Sequence, residues 1–127
     1  MGYLNNLAAE IYNDASKKGW HDNPVAFGDA ITNIHGELSE AWEEYRHGHK
    51  INKTHHSSCE NFDQCELPID CIDCELKKPE GVPSEFADVI IRVLDNCHMY
   101  GIDIDQAITE KMEYNRHRKY KHGGKII

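Results

Sequence analysis

Acidic residues with helical spacing are the feature of this sequence that could do chemistry. Glu37, Glu40 and Glu44 are spaced i, i+3 and i+7, which places them within about 60° of one another on a helix surface. Glu85 and Asp88 repeat the i, i+3 spacing further along the chain. If the two helices pack as an antiparallel hairpin, carboxylates from both can converge. Several carboxylates brought together are stable only if some are protonated or a cation lies among them.

The donor type predicts the kind of ion. Carboxylate oxygens suit hard Mg²⁺ or Mn²⁺ rather than zinc. Magnesium also keeps several waters and bridges carboxylates to substrate phosphates. The spacing by itself has a second interpretation, because acids at i, i+3 on an amphipathic helix are usually its solvated face. Both interpretations stay open at this point.

Four helical segments would have to position these acids. Apolar periodicity together with capping and stop residues predicts helices over roughly 4–19, 22–48, 83–101 and 103–112. The second helix is predicted to open at the sequence Asp22-Asn23-Pro24, and Asp103 is predicted to cap the fourth. No segment alternates as a strand does. The fold class is therefore predicted to be all-α, in a single domain covering residues 1–127.

The predicted apolar side of each helix follows from the same periodicity. On the second helix, the apolar residues are Phe27, Ile31, Ile34, Leu38, Ala41 and Tyr45. On the third, they are Phe86, Val89, Ile90, Val93, Leu94 and Cys97. On the fourth, they are Ile104, Ala107, Ile108 and Met112. Cys97 is predicted to be a core thiol.

A polar segment from 49 to 79 interrupts the helical pattern and holds the other four cysteines, Cys59, Cys65, Cys71 and Cys74. Four cysteines in one loop predict a tetrahedral soft-metal site, with Zn²⁺ first and an iron–sulfur cluster second. His55 or His56 could substitute for one cysteine. The alternative is a loop of free thiols, or of disulfides formed on oxidation. Without a bound ion, this segment has too little apolar surface to order itself.

Charge and hydropathy exclude several classes of protein. The chain has 22 acidic against 14 basic residues and a formal net charge of −8. This argues against a general nucleic-acid-binding surface, which needs a basic footprint. No apolar run is long enough to span a bilayer, and the N-terminal residues lack the pattern of a signal peptide. The expected location is cytoplasmic, with no membrane partner.

The sequence around the acids resembles a known family. Residues 34–46, with the sequence IHGELSEAWEEYR, are similar to the first metal-binding helix of MazG-like nucleoside triphosphate pyrophosphohydrolases. Residues 85–95, with the sequence EFADVIIRVLD, are similar to the second. The segments 18–20, 101–103 and 111–125 also resemble that family. The resemblance covers nearly the whole chain outside the insertion.

The resemblance implies a fold and an activity. The fold would be a four-helix MazG-like bundle with the Cys-rich loop inserted between the two metal-binding helices. Family members hydrolyse nucleoside triphosphates, often non-standard or deoxy ones, to the monophosphate and pyrophosphate. By resemblance, Glu37, Glu40, Glu85 and Asp88 would hold Mg²⁺. Water would attack the α-phosphorus, and the base would be one of these glutamates or Glu44.

The resemblance also implies substrate contacts and assembly. Asn115, Arg118, Tyr120 and Lys125 would contact the triphosphate or the sugar, although a solvated basic C-terminus is the alternative for these residues. The chain would form a homodimer or a dimer of dimers. Gly36 precedes Glu37, so the double glutamate of many relatives is absent, which leaves the number of metal ions open. Two other functions stay open: a non-catalytic helical module that binds metal and a partner, and a phosphohydrolase that releases orthophosphate.

Overall fold

The protein is mostly helical in the residues that the structure, a computed structural model, describes: 2–56, 77–121 and 126. The helices are α1 (Tyr3–Lys17), α2 (Phe27–Arg46), α3 (Val82–Met99) and α4 (Ile104–Arg116). Two short strands, β1 (His55–His56) and β2 (Pro79–Glu80), pair antiparallel. The all-α prediction is confirmed, and the strand pair is an addition that the sequence pattern did not predict. No described helix is long and apolar enough to cross a membrane.

The chain divides into two compact units. One contains residues 1–24 and 91–127, and the other contains residues 25–90. Residues 82–90 of α3 belong to the unit of residues 25–90, and residues 91–99 of the same helix belong to the other unit. Each unit is described by itself below, and the single domain over 1–127 stays a prediction.

The predicted start of α2 is wrong by several residues. The helix begins at Phe27, and Ala26 is the extended N-cap residue, with no capping hydrogen bond from its side chain. The backbone N–H of Asp22 donates to the carbonyl of Gly19 at 3.2 Å. Asp22 therefore belongs to the turn that follows α1, and it does not cap α2.

Glycines end three of the helices close to where the sequence predicts. Gly19, Gly48 and Gly101 have φ values of 83°, 90° and 69°. At each one, the backbone N–H of the next residue bonds back across five positions, as in a Schellman motif. In α2 this bond joins His49 N to Glu44 O at 3.3 Å. The motif returns the chain toward the last turn of α2 and brings His49 beside Glu44.

Helices α1 and α4 cap one another in the unit made of residues 1–24 and 91–127. The carboxylate of Asp105 accepts the backbone N–H groups of Leu4 and Asn5 at 3.2 and 2.8 Å. In return, the Asn5 side chain accepts the Ile104 N–H at 3.0 Å and donates to Asp103 at 2.8 Å. Asp103 also accepts the Gln106 N–H at 3.0 Å, which confirms its predicted role as the α4 cap. Both helix N-termini are therefore satisfied by side chains from the other helix.

The buried side chains of the described residues are few and mostly small. They are Ala8, Ala30, Ala41, Val82, Leu94 and Cys97, together with Glu37 and Glu85. The prediction that Cys97 is a core thiol is confirmed, and burial raises the pKa of that thiol.

The predicted apolar sides are only partly buried: Ala41, Leu94 and Cys97 are buried, whereas many of the larger side chains are exposed. On α2, four residues of the predicted stripe, Phe27, Ile31, Leu38 and Tyr45, are 38–56% exposed, and Trp42, which was not part of that stripe, is 59% exposed. On α3 and α4, Phe86, Ile90, Ile108 and Met112 are 38–56% exposed. The buried line of α2 is Ala30, Glu37 and Ala41. At 100° per residue, this line lies about 80–90° around the helix from the exposed large side chains, and Ala41 is the member of the predicted stripe that lies on it. The helix is thus rotated so that an acidic side chain faces inward.

The reciprocal caps predict the effect of a substitution. Replacing Asp105 with Ala removes the acceptor for two N–H groups of α1, so we expect a loss of about 1 kcal/mol in the free energy of unfolding. Asp105→Asn keeps an acceptor oxygen and should lose less. Chemical denaturation measures both variants, with Glu110→Ala, at an exposed position of α4, as the control. An Asp105→Ala variant as stable as this control contradicts the capping role.

Candidate metal centre

Carboxylates from α2 and α3 converge within the unit of residues 25–90. One oxygen from each of Glu37, Glu40 and Glu85 lies within 4.8 Å of the other two. Glu37 and Glu85 are each only 9% exposed, and Glu40 is exposed. The alternative interpretation, that these acids form the solvated face of a helix, does not fit, because two of the three are buried.

Local structure explains how the acids reach one another. Glu37 lies on the same face of α2 as Ala30 and Ala41, so the inner face of this helix offers two methyl groups and one long acidic side chain. Glu85 lies in the first turn of α3, where its backbone N–H bonds to the carbonyl of Gly81 at 3.0 Å. The N-terminal turn of a helix favours a negative side chain. Gly81 has a φ of 115°, and a Cβ there would lie 2.7 Å from the carbonyl oxygen of Lys53, so only glycine fits the close approach.

The cluster perturbs the ionisation of Glu85. Burial, hydrogen bonding and charge from Glu40, a hydrogen bond to Glu37 and the charge of Asp88 together raise its pKa from 4.5 to about 7, and burial is the largest cause. Its Oε2 atom is buried without a hydrogen-bond partner. An orphaned buried carboxylate oxygen costs free energy that a bound cation would recover.

Asp88 lies one turn after Glu85 on α3 and is half-buried. Its negative charge acts on Glu85, so the fourth predicted ligand is close enough to affect the first turn of the helix. The structure therefore brings Glu37, Glu40 and Glu85 together and places Asp88 beside them.

The donor set fits a hard divalent cation. Every candidate ligand is a carboxylate, which is the protein ligand that Mg²⁺ and Mn²⁺ prefer. A cation among the three carboxylates would also satisfy the orphaned oxygen of Glu85. Glu37, Glu40, Glu85 and Asp88 are the residues that could hold it.

The structure places Glu44, a candidate base, in a different group. Its Oε2 atom accepts a hydrogen bond from His55 Nε2 at 3.0 Å and lies 3.7 Å from His49 Nε2. The hydrogen bond from His55, followed by the positive charges of His55, His49 and His47, lowers the pKa of Glu44. Glu44, His49 and His55 form a second group whose ligand atoms lie within 4.8 Å of one another. We call it the histidine cluster.

Sequence reasoning missed the histidine cluster. It treated His55 as a substitute for a cysteine and gave His49 no role. The available signal was Gly48, because a glycine stop at the end of α2 returns the next residue toward the preceding turn. The pairing of His55 with Glu80 in the two strands has no comparable signal in the sequence.

The predicted substrate contacts are on the exposed C-terminal part of the other unit. Asn115 is in the last turn of α4, and Arg118 stacks over the ring of Tyr114 at 5.7 Å from its centroid. Tyr120 is 84% exposed. Lys125 lies outside the described residues. Their role in binding a triphosphate stays a prediction.

The predicted zinc ligands, Cys59, Cys65, Cys71 and Cys74, lie outside the described residues. The two ends of the insertion are described, since β1 and β2 pair with His55 opposite Glu80 and His56 opposite Pro79. The described part of the insertion therefore includes a short antiparallel ladder, and the Ser84 hydroxyl donates to the carbonyl of Pro79 at 3.1 Å.

Comparisons of the chain with protein-family models, curated proteins and solved structures gave no match. The geometry of the carboxylate group and the local sequence resemblance are thus the basis for any functional conclusion.

The raised pKa of Glu85 predicts a pH-dependent stability. Between its ordinary value of 4.5 and its folded value of about 7, the folded chain holds a proton that the unfolded chain has released. The contribution of Glu85 to stability therefore falls as pH rises through this window. Glu85→Gln cannot ionise, so without metal its melting temperature should increase relative to wild type from about pH 5 to about pH 8.

A matched control isolates this effect. Glu43 is exposed on α2 and pairs with Arg46 at 2.8 Å, so Glu43→Gln should show no such trend between the same pH values. Thermal melts followed by circular dichroism measure all three proteins. A constant difference between Glu85→Gln and wild type across the window contradicts the assigned ionisation.

Proposed function

We propose that this protein is a Mg²⁺-dependent nucleoside triphosphate pyrophosphohydrolase. The reaction cleaves the bond between the α- and β-phosphates of a nucleoside or deoxynucleoside triphosphate with water, giving the monophosphate and pyrophosphate. The observation that carries the proposal is the convergence of Glu37, Glu40 and Glu85, two of them buried, together with the Oε2 atom of Glu85 that has no hydrogen-bond partner.

Two further points support the proposal. The sequences around these acids resemble the two metal-binding helices of the MazG-like family. A chain with net charge −8 also repels a free triphosphate, and an acidic cluster binds such a substrate only through a cation between them. Both points favour a metal-bridged phosphate substrate over a purely structural use of the acids.

The residues divide into three roles. Glu37, Glu40, Glu85 and Asp88 hold the ion. When bound, magnesium would stabilise charge on the triphosphate and orient the attacking water. Either Glu37 or Glu40 takes the proton from that water as it attacks the α-phosphorus, and pyrophosphate leaves.

Glu44 is the weaker candidate for the base because it already accepts a hydrogen bond from His55. On the substrate side, Asn115, Arg118, Tyr120 and Lys125 are proposed to contact the triphosphate or the sugar. The amide of Asn115, the hydroxyl of Tyr120 and the cationic groups of Arg118 and Lys125 can all donate hydrogen bonds to phosphate oxygens.

Product analysis with a nucleotide panel tests the reaction. With Mg²⁺ present, we expect pyrophosphate and a nucleoside monophosphate from at least one triphosphate. Orthophosphate as the direct product would assign a different phosphohydrolase, and no turnover of any nucleotide would favour the non-catalytic helical module.

Substitutions test the site. Glu40→Gln and Asp88→Asn each remove one ligand charge with little change in size. Changes to outer-shell metal partners already cost about 10–100-fold, so we expect losses of kcat/KM above ~100-fold here. Glu43→Gln removes the same charge from an exposed position of α2 and should retain activity. Unchanged helical circular dichroism shows that the variants fold, and normal turnover by both of them rules out the assigned site.

We further propose that the chain forms a homodimer or a dimer of dimers. The support is the exposed stripe on α2, where Phe27, Leu38, Trp42 and Tyr45 are 45–59% exposed within about 60° of one another. Trp42 and Tyr45 stack on this stripe with ring centroids 5.8 Å apart. A continuous row of large apolar side chains on a short helix is costly in water, and a second copy of α2 offers the same self-complementary surface.

The stripe gives a direct test of assembly. Trp42→Glu places a charge at its centre and should convert the oligomer to monomer at micromolar concentration, as measured by light scattering. Thr32→Glu places the same charge about 120° around α2 from the stripe, at an exposed position, and should leave the oligomer intact. A monomeric wild-type chain contradicts the proposal.

A further inference from the structure

The histidine cluster has no role in the proposed hydrolysis, although its three side chains converge as closely as the carboxylates do. It consists of Glu44 on the last turns of α2, His49 just after that helix and His55 on β1. All three belong to the unit of residues 25–90. Two imidazole nitrogens and one carboxylate oxygen are the donor set that borderline transition metals prefer, whereas Mg²⁺ and Ca²⁺ prefer oxygen ligands alone.

We propose that Glu44, His49 and His55 bind one divalent transition-metal ion, with Zn²⁺ the best match. The ligand atoms are Glu44 Oε2, His49 Nε2 and His55 Nε2. This site is distinct from the carboxylate group of Glu37, Glu40 and Glu85, and it does not depend on the cysteines of the insertion.

The distances suit a tetrahedral ion. Zinc bonds to nitrogen and oxygen of about 2.0–2.1 Å place neighbouring ligand atoms about 3.3–3.4 Å apart in a tetrahedron. The two separations from Glu44 Oε2, 3.0 Å to His55 Nε2 and 3.7 Å to His49 Nε2, lie on either side of that value. These two separations therefore need to change by only a few tenths of an ångström to match tetrahedral zinc, and the third pair of ligand atoms lies within 4.8 Å.

The two imidazole rings are arranged to act together. Their centroids are 4.2 Å apart and their planes differ by 16°, and their Nε2 atoms lie 3.7 and 3.0 Å from Glu44 Oε2. An imidazole binds a metal ion in the plane of its ring, so one of these two stacked rings must turn before both lone pairs meet at one ion. His49 has the more exposed side chain, at 43% against 36% for His55. It therefore has the greater freedom to rotate and complete the coordination.

Backbone structure positions each ligand independently of any ion. The Schellman motif at Gly48 returns His49 to Glu44 through the bond between His49 N and Glu44 O. Pairing of β1 with β2 places His55 opposite Glu80. A site held by a helix end and a strand is more precise than one formed by a flexible loop.

Glu80 supplies the outer partner that metal-binding histidines usually have. Its Oε2 lies 3.9 Å from His55 Nδ1, the ring nitrogen that does not face Glu44. At 3.9 Å Glu80 acts on the ring by charge and not by a hydrogen bond. This charge favours the proton on Nδ1, so Nε2 can release to solvent the proton that it donates to Glu44 and bind the ion instead. Three protein ligands also leave the fourth tetrahedral position for water or another donor.

Metal binding here would join the end of α2 to the strand pair at the base of the insertion. Glu44 and His49 belong to the helix end, and His55 belongs to β1. The ion therefore stabilises the ladder from which residues 57–76 depart, whatever the cysteines in that segment bind.

The test must separate this site from the cysteines and from the carboxylate group. We would use the full chain with Cys59, Cys65, Cys71 and Cys74 replaced by Ser, in excess Mg²⁺ to occupy the hard-ligand site. Calorimetric titration with Zn²⁺ should show one ion per chain. His49→Ala and His55→Ala in this background should each weaken binding by more than ~100-fold, and Glu80→Gln by about 10-fold, as outer-shell changes do.

His56→Ala is the matched control, because His56 is the exposed neighbour of His55 on the same strand and is not part of the cluster. It should bind Zn²⁺ as tightly as the parent. Zinc affinity that is unchanged in both His49→Ala and His55→Ala overturns the proposal, as does the absence of a binding event in the folded parent.

A second measurement removes the dependence on the serine variant, should that chain fail to fold. In the wild-type chain at saturating Zn²⁺, nitrogen-15 spectra of the imidazole rings should show His49 and His55 fixed with Nε2 bound and Nδ1 protonated. With Co²⁺ in place of Zn²⁺, this site should add visible ligand-field bands even after the thiols are alkylated. Ring signals of His49 and His55 that do not change at saturation overturn the site.

Discussion

Burial of like charges is the constraint on which the structure around α2 depends. Glu37 and Glu85 are almost fully buried, and an oxygen of exposed Glu40 lies within 4.8 Å of both. Without a cation the group can relieve its repulsion only by keeping a proton, and this is the physical meaning of the pKa of about 7 at Glu85. Burying such a group in a small core costs stability, and buried groups of this kind are commonly found where a protein has a functional site.

The orientation of α2 follows from that constraint. Since the inward line is Ala30, Glu37 and Ala41, the large apolar residues of the helix cannot also face inward. They lie about a quarter of a turn away and stay exposed in the chain. The same rotation that brings Glu37 to Glu85 thus produces the surface that a second copy can cover. The site and the proposed oligomer are in this sense two consequences of one helix rotation.

Sequence reasoning succeeded where a local rule decides the outcome and failed where packing decides it. Helix ends at Gly19, Gly48 and Gly101 and the cap at Asp103 depend on a few neighbouring residues, and these predictions are confirmed. The convergence of Glu37, Glu40 and Glu85 follows from their spacing once two helices pair. Burial of Phe27 and Phe86 was predicted from periodicity alone. Periodicity gives the relative angles of side chains on a helix, and the neighbouring chain decides which side is covered.

Helix α2 contributes a glutamate to each of two groups of potential metal ligands that differ in their donor atoms. Glu40 is in the all-carboxylate group, and Glu44, four residues or about 6 Å further along the axis, is with two imidazoles. The same residue type therefore lies in two groups with different donor sets, and its neighbours decide which kind of ion each group would prefer. Gly48 brings His49 back beside the last turn of α2, and Gly81 allows the strand bearing Glu80 to approach Lys53. These two glycines therefore help to place the histidine cluster apart from the all-carboxylate group. Because one rigid helix carries Glu40 and Glu44, a change in the pairing of Glu44 with His55 on β1 can be transmitted along α2 to Glu40.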